Sequence, residues 1–219
     1  MPEPIRLRVF GDYALFSRPE LKVERYSYDV MTPSAARGIL DAIYYHPGLR
    51  WCVKRIIVEK PIRFTNIRRN EVSKKILATD LLAAANGSEK PIFIDRRDAI
   101  AQRAATVLRD VSYVIEANFD VIPEKMGTED SEDKFYAIFC NRARRGRCFA
   151  NPYFGCKEFP AAFELLTPDS RPPEPIGESR DLGIMLYDMD YTDEGIYPMF
   201  FHAELKNGVM DVAGKEILQ

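Results

Sequence analysis

The run Ile5-Arg6-Leu7-Arg8-Val9-Phe10 alternates strictly, which predicts a strand with Ile5, Leu7 and Val9 turned to a core and both arginines to the other face. The period then changes. Ala36, Ile39, Leu40 and Ile43 recur at i, i+3, i+4 and i+7, the apolar stripe of a helix over residues 33–45. Thr32 suits its N-cap and Pro33 its first position, while Pro47 pushes His46 out of the α region and stops it. Residues 51–59 read as a second strand. Between Pro61 and Arg109 the pattern weakens into an arginine-rich insertion with a short helix signal near residues 81–85. Alternation returns over residues 110–121, a third strand. Asp130-Ser131-Glu132-Asp133 then opens a second helix with its stripe on Tyr136, Phe139, Cys140 and Ala143, ended by arginines and Gly146. The short apolar segment 161–165 completes the sheet.

This order, β-α-β, insertion, β-α-β, predicts an α+β chain with the split βαβ arrangement of ferredoxin-like (RRM-like) βαββαβ domains. Residues 167–175 follow with four prolines, an extended linker. Beyond it, residues 182–191, 197–205 and 209–212 read as strands, the last two joined by Lys206-Asn207-Gly208, a strong hairpin signal. The predicted organisation is therefore a ferredoxin-like domain over 1–166 and a small acidic antiparallel β domain over 167–219.

Charge sharpens that division. Residues 1–160 carry a net of +6 and residues 161–219 a net of −8, which points to a polyanion-binding surface on the first part. No window of about 18 apolar residues is present, and Met1-Pro2-Glu3-Pro4 lacks a charged-then-apolar leader, so a cytoplasmic protein with no membrane partner is expected. Cys52, Cys140, Cys148 and Cys156 form no CxxC pair. With only two histidines, neither a metal site nor a cofactor is expected.

Candidate chemistry gathers in two places. Arginine is dense in Arg63 to Arg69, in Arg96-Arg97 and in Arg142 to Arg147, interleaved with Phe64, Phe93 and Phe149. Guanidinium suits phosphate and flat rings suit bases, so Arg63, Arg68, Arg69, Arg97, Arg144, Arg145 and Arg147 are candidate RNA-binding residues. The second place is the end of the first helix. At about 100° per residue, Arg37 and Tyr44 lie side by side there, with Asp41 beyond, so Arg37 joins the ligand-binding candidates. On the second helix, Lys134, Ile138, Asn141 and Arg145 share the face opposite the stripe, which presents Lys134 outward beside further positive charge. No GxGxxG, Walker, HExxH or GxSxG motif occurs.

Six blocks together resemble a known family. Gly11-Asp12-Tyr13-Ala14-Leu15-Phe16, the segment from Tyr28 to Pro47, Lys60-Pro61-Ile62-Arg63, Arg69-Asn70-Glu71, Leu108-Arg109-Asp110-Val111 and Pro152-Tyr153-Phe154-Gly155-Cys156-Lys157-Glu158-Phe159 are similar to the CRISPR-associated Cas-five family of the Dvulg subtype, from type I-C systems. The resemblance adds Arg109 to the RNA-binding candidates. It implies a ferredoxin-like domain with a C-terminal β unit. It also implies an endoribonuclease that cuts CRISPR repeat RNA beside its hairpin, stays bound and joins the other subunits of the interference complex. Its cleavage site uses a tyrosine ending the first helix, which falls on Tyr44, and a Lys-His pair early in the second, whose lysine falls on Lys134. Phe135 stands where that pair has histidine. The imidazole is then dispensable, supplied by His46, or absent along with the activity.

Metal-free RNA cleavage needs a base for the 2′-OH, positive charge for the phosphorane and an acid for the 5′ oxygen. Tyr44, Lys134 and His46 are the catalytic candidates. As a base, Tyr44 needs a cation such as Lys134 or Arg37 to lower its pKa. The alternative is a non-catalytic subunit that binds the RNA handle.

Overall fold

The computed structural model describes residues 4–21, 24–192 and 194–218. The leader reading therefore concerns residues 1–3 outside the described ones, as is the side chain of Arg96. In chain order the elements are β1 (Ile5–Ala14), β2 (Arg25–Tyr26), α1 (Pro33–Ile43), β3 (Leu49–Val58), β4 (Phe64–Val72), α2 (Ala78–Ala85), α3 (Arg96–Ala99), β5 (Ile100–Val121), α4 (Glu132–Arg144), β6 (Ala162–Leu165), β7 (Arg180–Thr192), β8 (Gly195–Leu205) and β9 (Val209–Asp211).

The chain is mixed α+β around a mostly antiparallel sheet whose path runs β6-β1-β5-β3-β9. Among the strands that flank α1 and α4, the order is fourth, first, third, second. Ile5, Leu7 and Val9 are buried against the helices, as the alternation of β1 requires. They meet Ile39, Leu40 and Ile43 of α1 and Phe135 and Phe139 of α4 in one core, where Trp51 packs edge-on to Phe139 at 4.7 Å. Each such side chain contributes about 1.5–3 kcal/mol through burial. Thr32 caps α1 as predicted, accepting from the Ala35 N–H at 3.2 Å.

Three expectations need correction. The third strand begins at Ile100, not Asp110, and its first half pairs with β4 from Phe64 opposite Leu108 to Val72 opposite Ile100. Asp110 sits at the change of partner with φ +53, a left-handed turn of backbone that breaks the alternation. The insertion is therefore a two-stranded arm carrying α2 and α3, half-exposed and polar enough to hide its period. On α4 the buried stripe is Phe135, Phe139, Cys140 and Ala143, with Tyr136 only half-buried, because Ser131 caps the helix and sets Phe135 inward. At the C-terminus, Asn207 and Gly208 both take positive φ and close Lys206 on Val209, the turn that Asn-Gly favours. The strand beyond leaves β8, however. β9 pairs with β3, Ile56 opposite Met210, while β8 pairs with β7 in a separate ribbon.

The outward arginines of β1 are consumed by the structure. Arg8 donates to Glu59 from Nε and Nη2 at 3.0 Å and reaches the carbonyl oxygens of Arg171 and Pro172 in the linker at 3.0 and 3.3 Å. Ser112 and the Glu174 N–H also donate to Glu59. Burial pushes the Glu59 carboxyl up, but the bonds from Arg8 and Ser112 outweigh it and hold it below its ordinary value. The proline-rich linker is thus clamped across the sheet face.

Candidate active site

α1 stops at Tyr44, which takes extended backbone and still donates its N–H to Leu40 at 3.0 Å. The ring is buried, 6.2 Å from Phe135, and the Arg142 guanidinium lies 5.0 Å above it while donating to the Ile43 carbonyl at 3.0 Å. Two residues on, the chain turns back, and the Gly48 N–H donates to His46 Nδ1 at 3.0 Å. With Nδ1 accepting, the neutral imidazole carries its proton on Nε2. Nε2 faces Asp130 Oδ2 at 3.3 Å.

Asp130 comes from the other helix. It precedes the Ser131 cap of α4, where its Oδ2 also accepts the Gly127 N–H at 2.8 Å and its Oδ1 meets Lys134 Nζ at 3.3 Å. Lys134 makes a further bond to the Glu129 carbonyl at 3.2 Å. One carboxylate therefore joins the imidazole and the ammonium. The Gly127 N–H, then Lys134 and His46, hold that carboxyl below its usual range. Phe135 is fully buried beneath the cluster, its ring 4.6 Å from that of His46.

The fold thus gathers Tyr44, His46 and Lys134 from segments about ninety residues apart in the sequence. Lys134 does not stand free among positive charge, because Asp130 one turn back occupies it. The expected lowering of the Tyr44 pKa is also reversed. Burial first and Asp130 second raise it, against a smaller opposing effect of Arg142. Nor is Arg37 at the phenol's service: Asp188 on β7 binds it twice, at 2.7 and 2.8 Å, and Asp41 once at 2.8 Å. It fastens α1 to the ribbon.

The other arginines divide. Arg69 pairs with Glu158 and lies 5.1 Å over the Phe159 ring, and Arg97 is 3.8 Å from Asp95. Arg63, Arg68 and Arg109 are exposed around the arm, and Arg144, Arg145 and Arg147 are exposed at the end of α4. None of these six meets a carboxylate within ion-pair distance among the described residues. The α4 set borders the Tyr44 cluster through Arg142; the arm set belongs to β4 and β5. Sequence reasoning missed Asp130 and Arg142. For Asp130 a signal existed, the acid–base spacing of four to Lys134; for Arg142 there was none, since its neighbour on α1 is distant in sequence. Among the described residues, no group of three His, Cys, Asp or Glu side chains could hold a metal ion, and no helix is long and apolar enough to cross a membrane.

The family described as CRISPR-associated protein (Cas_Cas5), in its Cas5d form, matches residues 5–213. The chain is 48% identical over 219 residues to the CRISPR pre-crRNA endoribonuclease Cas5d of Mannheimia succiniciproducens, covering 97% of this chain and 96% of the relative. It is 36% identical over 230 residues to the protein of that name from Thermus thermophilus, covering 97% and 92%. Two solved structures share its fold. A CRISPR-associated protein superimposes with a TM-score of 0.69 at 22% identity, covering 99% of this chain and 96% of that one. A functionally uncharacterized protein from Streptococcus mutans gives 0.68 at 20% identity, covering 99% and 97%.

Proposed function

The chain belongs to the Cas5d family of CRISPR-associated proteins, and from that premise we propose that it is an endoribonuclease that cuts CRISPR precursor RNA within the repeat, beside its hairpin. In this reading it stays bound to the product as a subunit of the type I-C interference complex, in the cytoplasm. The observation that carries the catalytic part is the meeting of His46 and Lys134 on one carboxylate, beside the phenol of Tyr44.

The reaction is metal-independent attack of a ribose 2′-oxygen on the adjacent phosphorus. The P–O5′ bond breaks, leaving a 2′,3′-cyclic phosphate and a 5′-hydroxyl. His46 takes the 2′-OH proton at Nδ1 once the RNA displaces the Gly48 N–H, and Asp130 at Nε2 stabilises the imidazolium, as in other acid–imidazole pairs. His46 thereby supplies the imidazole that Phe135 does not, from the adjoining position. Lys134 neutralises the phosphorane. Tyr44, kept protonated at neutral pH by its raised pKa, gives its proton to the leaving 5′-oxygen. Arg63, Arg68, Arg69, Arg97, Arg109, Arg144, Arg145 and Arg147 are the proposed RNA contacts. Arg37 leaves that set because Asp188 and Asp41 hold it by three bonds in a half-buried position; Arg69 and Arg97 stay in it because each meets a single exposed carboxylate that RNA can displace.

Phe135 favours a second reading, a subunit that binds the RNA handle without cutting it. Incubating the pure protein with its own repeat RNA in EDTA separates the two. Cleavage that persists in EDTA and falls in His46→Ala supports the enzyme; tight binding with intact RNA supports the structural subunit, and an absolute need for Mg²⁺ overturns the metal-independent mechanism.

A further inference from the structure

Phe149 is anchored by its backbone and abandoned by its side chain. α4 ends in a reversal in which the Arg147 N–H bonds to Arg142 and the Gly146 N–H to Ala143, with Gly146 at φ +61, a conformation natural to glycine. The chain then runs back along α1, where the N–H groups of Phe149 and Ala150 both donate to the Ala42 carbonyl, at 2.8 and 3.0 Å. That pairing satisfies a carbonyl in the last turn of α1 and fixes the loop. The ring itself is 80% exposed. It forms one wall of an open groove of about 500 Å³, whose other walls include Asn141, Arg142, Arg145 and Arg147. Arg145 and Arg147 have no carboxylate partner among the described residues, and Arg142 is shared with the Tyr44 ring.

We propose that Phe149 is a stacking platform for one unpaired nucleobase next to the scissile phosphate, with Arg145 and Arg147 holding the flanking phosphates. This rests on the RNA-cutting reading above and adds the part of the substrate that the groove takes. A flat ring among uncompensated guanidinium groups matches a single-stranded nucleotide, which offers a π-face and a negative charge together. A protein partner would want a wider apolar patch around the ring; here only Ile138 and Cys148 add apolar lining, against three arginines and Asn141. The fixed backbone lets the base stack without ordering a loop at the same time.

The test measures affinity of the full chain for fluorescein-labelled repeat RNA by anisotropy, in EDTA with the 2′-oxygen at the cut methylated to prevent turnover. Phe149→Ala should weaken binding about 5- to 150-fold, whereas Phe149→Trp should bind like the wild type. Repeat RNAs with a single abasic site at successive positions beside the cut locate the base. One position should weaken the wild type and leave Phe149→Ala unaffected, and Tyr191→Ala, another exposed ring on β7 outside the groove, should match the wild type throughout. Binding of Phe149→Ala within twofold of wild type overturns the proposal, as do losses that simply add to those of every abasic RNA. A wild type that binds repeat RNA no better than an unrelated hairpin overturns the RNA reading itself, and the platform with it.

Discussion

The open face of the sheet and the end of α4 are both rich in arginine, yet they use it in opposite ways. On the sheet, Arg6 and Arg55 share Glu116 at 3.2 Å each, and Arg8 is spent on Glu59 and the linker carbonyl oxygens. Arg144, Arg145 and Arg147, at and just past the end of α4, have no such partner among the described residues. A paired guanidinium has its donors filled and its charge cancelled, so it holds the fold. An unpaired one keeps both for a phosphate. The same pairing makes this face of the sheet the seat of the linker, through Arg8 and the carbonyl oxygens of Arg171 and Pro172.

The sharpest contrast lies at the cluster beside α4. Tyr44→Phe should lower the cleavage rate about 10²–10⁴-fold while RNA affinity stays within a few-fold, since the ring and its packing remain. Because burial raises the phenol's pKa above its ordinary value near 10, the wild-type rate should show no rising limb from Tyr44 ionisation below pH 10. A rate that climbs with phenolate between pH 8 and 9 would reassign Tyr44 as base. Asp130→Asn should slow cleavage by up to about 100-fold through misplacement of His46 and Lys134, with affinity unchanged or tighter as a negative charge is lost. Equal rates would show the carboxylate to be idle.

The sheet face should respond in stability alone. Glu59→Gln is expected to destabilise by about 1–3 kcal/mol, read from denaturant unfolding, and to leave cleavage intact. The folded Glu59 pKa lies below its unfolded value near 4.5, so its contribution is present above that pH and fades as pH falls through the folded value. The wild type should therefore lose its margin over the Gln variant in acid. The smallest effect separates the two arginine sets directly. Replacing Arg144 and Arg145 together should reduce the log–log salt slope of RNA binding by about 1–2 units, while replacing Arg6 and Arg55 should leave it unchanged. Equal slopes would erase the distinction.

Much of the scaffold was legible in the chain. The alternation of β1, the cap and stripe of α1, the start of α4 at Ser131 and the Asn207-Gly208 turn each follow from neighbours a few residues apart. The arm was not, because β4 and the first half of β5 are half-exposed and carry polar residues on both faces. Tyr44 and Lys134 were named by resemblance and His46 by its place after Tyr44. Asp130, which joins two of them, was read only as a favourable charge at a helix start.

By itself the sequence determined β1, α1, the start of α4 and the Asn207-Gly208 turn, because capping, periodicity and turn chemistry act over one or two turns of chain. It also determined that three arginine-rich runs would exist. Which arginines stay free, that β9 leaves its hairpin for β3, and that one carboxylate meets both His46 and Lys134 were decided by tertiary structure alone. The reason is range: an ion pair or a phenol's pKa depends on groups within a few ångströms, and the fold brings those groups together from distant positions in the chain.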